Sequence, residues 1–145
     1  MITRVGIILL TKNRADFVIR QLEFYKLSKS NHPVYIGDSS DFKQKVLLIK
    51  KLDYFKKFIK IYYYHLPLLD VVKTHIFISK KVNEKYCTYI GDDDFFLPAS
   101  LTKCAIFLEK NKDYVSARGK AAIFKLKKEQ QLRGEVAFIE NYWNN

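Results

Sequence analysis

Tyr86-Cys87-Thr88-Tyr89-Ile90-Gly91-Asp92-Asp93-Asp94-Phe95-Phe96-Leu97-Pro98 is the stretch on which the fold turns. Tyr86 to Ile90 is uncharged and of strand length, and Pro98 takes a natural helix start with the amphipathic Ala99 to Lys110 behind it. Three adjacent carboxylates between them repel one another and are costly in a partly buried crevice unless a cation neutralises them. Magnesium or manganese suits such hard oxygen ligands, and magnesium takes one or two protein carboxylates and fills its shell with water and phosphate oxygens. A solvated acidic turn capping the helix is the plainer reading, but a cap needs one Asp and this loop has three.

Upstream the same strand, loop and helix unit recurs. Val5 to Leu10 is an apolar run that passes through Thr11 to Arg14 into the amphipathic stretch Ala15 to Leu27. There Phe17, Val18, Leu22 and Tyr25 share one side at helical spacing, and Arg20, Gln21 and Glu23 form the polar remainder. Pro33 to Gly37 predicts a second strand, followed by the turn and cap residues Asp38 to Asp41 and a helix over Phe42 to Leu52. Phe58 to Tyr64 predicts a third strand, and Leu69 to Val82 the helix that leads to Tyr86. Strands alternating with helices need crossover connections, so the fold class is α/β: a mainly parallel sheet with helices on both faces. After Asp113, Tyr114 to Ala117 and Ala121 to Leu126 flank Arg118-Gly119-Lys120 and predict a C-terminal hairpin.

At 145 residues the chain is read as a single domain, and 48% hydrophobic residues with five Gly and three Pro exclude a disordered or fibrous class. The net charge of +11 draws the chain toward phosphates, nucleic acid or an anionic membrane surface. Lysine pairs such as Lys50-Lys51 and Lys80-Lys81 are read as solvated faces. Cys87 and Cys104 lack metal-site spacing and sit in apolar segments, so they are expected to be reduced core residues of a cytoplasmic protein, the inner membrane surface being the alternative location. Val5 to Leu10 is too short for a signal-peptide core, and no run approaches the ~20 residues of a membrane span.

In open α/β sheets, ligands bind beyond the carboxyl ends of the strands. Three motifs stand there: Thr11-Lys12-Asn13-Arg14, Gly37-Asp38-Ser39-Ser40-Asp41 and Tyr89-Ile90-Gly91-Asp92-Asp93-Asp94-Phe95-Phe96-Leu97-Pro98. In order and spacing they resemble the family 2 glycosyltransferases of the GT-A fold, over residues 3 to 126, which correspond to the nucleotide-binding half. The resemblance implies that Thr11, Asn13 and Arg14 lie along the nucleotide, and that Asp38, with Asp41 in the same loop, faces the base or ribose of a UDP-like donor. It implies that Asp93 and Asp94 hold Mn2+ or Mg2+; Gly91 stands where the family has its first acid, which passes the ribose contact to Asp92. Lys73 stands where the family often has a basic residue near the diphosphate, with plain solvent exposure as the other reading.

The expected function is therefore metal-dependent transfer of a sugar from a UDP- or GDP-sugar to a glycan or lipid acceptor. No catalytic base is found: Glu129, Glu135 and Glu140 read as surface charge, and His32, His65 and His75 as structural or surface residues. The chain is expected to lack the acceptor-binding part, because Val136 to Trp143 is apolar and aromatic, as if a continuing element packs there. Competing readings are a nucleic-acid module, motivated by +11 with ten Tyr and eleven Phe, and an inactive remnant. Nucleic acid ranks lower, because the aromatics fall in apolar segments and the acidic loop repels phosphate unless a metal intervenes.

Overall fold

Along Val5–Thr11 (β1) alternate side chains point to opposite faces, and both sets are apolar: Val5, Ile7 and Leu9 on one side, Ile8 and Leu10 on the other. Such a strand belongs in the interior of a sheet covered on both faces. The structure, a computed structural model that describes residues 3–126 and 136–141 and the side chains of residues 3–122, puts it there. Val34–Asp38 (β2), Ile61–His65 (β3) and Tyr86–Ile90 (β4) join it in an all-parallel sheet of order β3-β2-β1-β4. Ala15–Leu27 (α1), Phe42–Phe55 (α2) and Pro98–Lys110 (α4) cover the face of Ile7, Leu9 and Ile36. Val71–Ser79 (α3) covers the other, packing Ile78 against Ile8 and Tyr35.

This order positions the site. The chain steps outward from β1 to β2 to β3, and then α3 carries it back to the opposite side of β1. The strand order thus reverses between β1 and β4, and in open α/β sheets the carboxyl ends of the strands at such a switch point are where ligands bind. Register sharpens the point: Leu9 pairs with Ile90, so two residues further on Thr11 lies abreast of Asp92, while on its other flank it pairs with Asp38.

Several boundaries differ from expectation for local reasons. α2 runs on to Phe55, because Lys50 to Phe55 contains no breaker, and the turn that follows absorbs Phe58, so β3 starts at Ile61. α3 starts later, at Val71, because the Asp70 carboxylate accepts from the Lys73 N–H at 2.8 Å and caps it. The hairpin is placed differently too. Tyr114 to Ala117 forms no strand, and Ala122–Leu126 (β5) pairs antiparallel with Val136–Asn141 (β6) instead. Apolar β6, rather than the exposed Tyr114 and Val115, is the partner, which also gives most of the Val136 to Trp143 segment a local role. Trp143, Glu129 and Glu135 lie outside the described residues, as does the side chain of Glu140.

The cysteines are a second correction. Both are free, but Cys87 is exposed on edge strand β4, where the single short helix α3 leaves the outer part of its sheet face uncovered, and Cys104, on α4, is half-buried. The three histidines serve structural contacts. His32 is buried, its Nδ1 accepting from the Val5 N–H at 3.0 Å and its Nε2 lying 3.0 Å from the Pro98 carbonyl and 3.1 Å from Thr102 Oγ1. His65 Nε2 lies 2.9 Å from the Ser40 carbonyl, and His75 packs edge-on against Tyr89. Among the described residues no helix is long and apolar enough to cross a membrane.

Candidate functional site

Thr11 ends β1 with its side chain buried, and a buried hydroxyl needs a partner. Its Oγ1 donates to Asp92 Oδ2 at 2.8 Å, which fastens the acidic loop to the end of the central strand. The other oxygen of Asp92 meets the Arg14 guanidinium, Nη1 to Oδ1 at 2.8 Å, and Arg14 Nη2 lies 3.2 Å from Asp93 Oδ2. Phe17, one turn into α1, supports the guanidinium from below at 4.0 Å from the ring centre. Arg14 thus supplies from within the chain the positive charge that two of the three carboxylates require.

The triplet therefore divides. Asp92 is 6% exposed and has both oxygens engaged by the protein: the carboxylate is turned inward and builds the loop. Asp93 is 55% exposed, with only one oxygen on Arg14. Asp94 is exposed and makes no ion pair among the described residues. Asp93 Oδ1 and Asp94 Oδ2 crowd the same side of Gly91, at 3.0 and 3.5 Å from where a Cβ would stand there, so the small residue at 91 lets the two carboxylates come together. No group of three or more His, Cys, Asp and Glu arranged to hold a metal occurs among the described residues.

The second loop is locked to the first. Asn13 adopts a left-handed backbone conformation, φ 57°, which Asn tolerates better than most residues. That bend aims its N–H at Ser40 Oγ, 2.7 Å away, and its Oδ1 at the Asp41 N–H, 2.9 Å away. Asp41 caps α2 by accepting from the Gln44 N–H at 2.9 Å. Asp38 is completely buried; its Oδ1 accepts from the Ser40 N–H at 2.8 Å and its Oδ2 from the Tyr63 hydroxyl at 2.6 Å. Burial first, and the Asp38 carboxylate second, push the Tyr63 hydroxyl well above its usual pKa, so it stays a donor. Asp38 thus has both carboxylate oxygens engaged, one within its own loop and one by the neighbouring strand. Lys73 is exposed on the first turn of α3, with its ammonium 3.4 Å from Asp70. No contact ties it to the acidic loop.

One residue that patterning treats as polar surface is central here. Gln21 is fully buried, and its Nε2 donates to the Gly91 carbonyl at 2.9 Å and the Asp94 carbonyl at 2.5 Å. Phe24 packs edge-on against Phe95, and the Tyr25 hydroxyl accepts from the Phe96 N–H at 3.4 Å. Burial raises the Tyr25 hydroxyl to about 12, so it remains protonated. The signal was present: Gln21 lies one turn from both Val18 and Tyr25, on the core side of the helix. The open surface at the strand ends is thus formed by Asn13, Arg14, Asp41, Asp93 and Asp94.

No protein-family model matches the sequence, and a search of curated proteins returns no match. Among solved structures the chain is similar to residues 1–349 of TarS from S. aureus, with a TM-score of 0.59, 16% identity, and coverage of 74% of this chain and 33% of that one. A second structure of S. aureus TarS gives a TM-score of 0.55 at 16% identity and covers 74% of this chain and 20% of that one. TarS is a glycosyltransferase. The fold is accordingly glycosyltransferase-like, and the chain matches a third or less of the length of these neighbours.

Proposed function

We propose that this chain is the donor-binding part of a glycosyltransferase, taking a UDP- or GDP-sugar together with Mn2+ or Mg2+ and serving transfer to a glycan or lipid acceptor. The observation that carries the reading is the split of the acidic loop. At the carboxyl ends of the paired strands β1 and β4, Asp92 is tied down by Thr11 and Arg14, leaving Asp94 and one oxygen of Asp93 together at the surface. Two adjacent carboxylates with open space beyond them fit a magnesium or manganese ion whose remaining ligands are water and phosphate. When bound, such an ion supplies positive charge to a departing diphosphate.

The protein's own groups have distinct parts in this reading. Asp93 and Asp94 hold the ion. Arg14 keeps Asp92 buried and presents its guanidinium edge beside the phosphate position. Asn13 and Asp41, joined across the two loops, line the nucleoside side of the site, and Thr11 and Asp38 hold the backbone beneath them. The net charge of +11 favours anionic donors and a location near an anionic membrane surface.

Calorimetry with UDP, GDP and their sugars, with and without Mn2+, tests the proposal. Metal-dependent binding that Asp94→Ala abolishes is expected. Absence of metal-dependent binding to every one of these compounds would overturn it.

A further inference from the structure

Resting on that donor-site reading, we infer that Gln21 is the positioning residue of the acidic loop, a part nothing in the resemblance assigns to it. A loop that presents carboxylates outward has to turn its carbonyls inward, and inward-facing carbonyls need donors. Gly91 and Asp94, at the two ends of the loop, both direct their carbonyls at the amide nitrogen of Gln21. One amide group thus fixes both ends at once. Asp94 N–H closes the turn onto the Gly91 carbonyl at 3.3 Å, so the bend between the ends is fixed as well.

Neighbouring positions of α1 grip the same segment. Phe17 supports Arg14 below the loop, Phe24 packs on Phe95 and Tyr25 receives the Phe96 N–H, so one side of the helix follows the loop along its length. Gln21 is the only one of these that bonds the backbone at both ends of the acidic triplet.

Simple core packing does not account for a glutamine here. Its Oε1 is buried with no donor among the described residues, which an apolar side chain of the same length would avoid. The position thus tolerates an unsatisfied acceptor to keep two N–H groups on the loop. Polar partners one step behind metal-binding side chains commonly set metal affinity in this way.

Gln21→Met and Gln21→Leu separate the two roles. The measurements are thermal unfolding, hydrogen exchange of the peptide spanning residues 91–96, and titration of Mn2+ alone followed by electron paramagnetic resonance. The expected result is faster exchange confined to that peptide and Mn2+ binding about 10- to 100-fold weaker, with at most a small fall in Tm, because loss of the unsatisfied Oε1 offsets part of what the two carbonyls lose. A fall in Tm with exchange in residues 91–96 and Mn2+ affinity both unchanged would overturn the inference. If the unmodified protein binds no Mn2+, the donor-site reading fails on its own, and local exchange still decides whether Gln21 holds the loop: unaltered protection in both variants overturns it.

Discussion

Thr11 Oγ1 donates to Asp92 Oδ2 at 2.8 Å, although the two residues are 81 positions apart, and both are almost completely buried. This bond joins the end of the central strand to the acidic loop. Thr11→Val keeps the shape but removes the donor from a buried carboxylate, so unfolding in urea should show a loss of about 1–3 kcal/mol. Thr11→Ser, which keeps the hydroxyl, should recover most of it.

Arg14 bridges Asp92 and Asp93, and its removal leaves the buried Asp92 without a counter-charge. Arg14→Met should cost on the order of 2 kcal/mol, below the cost of breaking a fully buried pair because the guanidinium is partly solvated. Arg14→Lys should recover only part, since an ammonium cannot span two carboxylates as the planar guanidinium does. Equilibrium unfolding of the three proteins in parallel gives the comparison.

Gly37 sits in β2 beneath α3, and a Cβ there would stand 2.7 Å from Thr74 Cγ2 and 2.9 Å from both Ile78 Cγ1 and Leu10 Cδ2. Gly37→Ala should therefore push α3 off the sheet and destabilise by about 1–3 kcal/mol, read as a lowered urea midpoint. Gly119, with nothing within 4 Å, is the control: alanine there meets no neighbour and should leave the midpoint unchanged.

His32 is held below its ordinary pKa chiefly by burial, with the Arg4 charge adding to the effect and the Pro98 carbonyl opposing it. A histidine depressed in the folded state contributes stability that is present above the unfolded value of about 6.5 and lost as pH falls through the folded value. Nuclear magnetic resonance titration should give His32 a midpoint below about 6.5, and stability should decline with acid over that range. His32→Asn, which keeps an acceptor for the Val5 N–H, should flatten that decline.

The parts of the fold legible in the sequence are those that local pattern alone determines. β4 and α1 have the expected bounds because one is an unbroken uncharged run and the other holds a helical apolar spacing from Ala15 to Leu27. β3 shifted because Phe58 to Lys60 is as apolar and extended by pattern as a strand, while the turn that closes α2 claims it. The partner of β5 was misplaced because a glycine between two short runs reads as a hairpin, whereas pairing depends on which segment offers an apolar strand.

The site was legible in place but not in detail. Strand ends located the acids and the resemblance set Asp92 apart from Asp93 and Asp94, yet only register shows that Asp92 faces Thr11 while the other two lie exposed. That Asp38 ends a strand is legible; that Tyr63, on the neighbouring strand, reaches and encloses it depends on strand pairing. The spacing of Gln21 from Val18 and Tyr25 marks it as core-facing, but its partners lie in a loop 70 residues away that local pattern does not reach.

The central claim is that the exposed pair Asp93 and Asp94 joins a nucleoside diphosphate through a divalent ion. If so, the two ligands must tighten each other by the same factor, since their coupling is reciprocal. Mn2+ affinity measured by electron paramagnetic resonance with and without saturating UDP or GDP tests this most directly. The account predicts tighter Mn2+ binding in the presence of one of these nucleotides and loss of that gain in Asp94→Ala. Mn2+ binding that ignores both nucleotides, or a gain that survives Asp94→Ala, would contradict it.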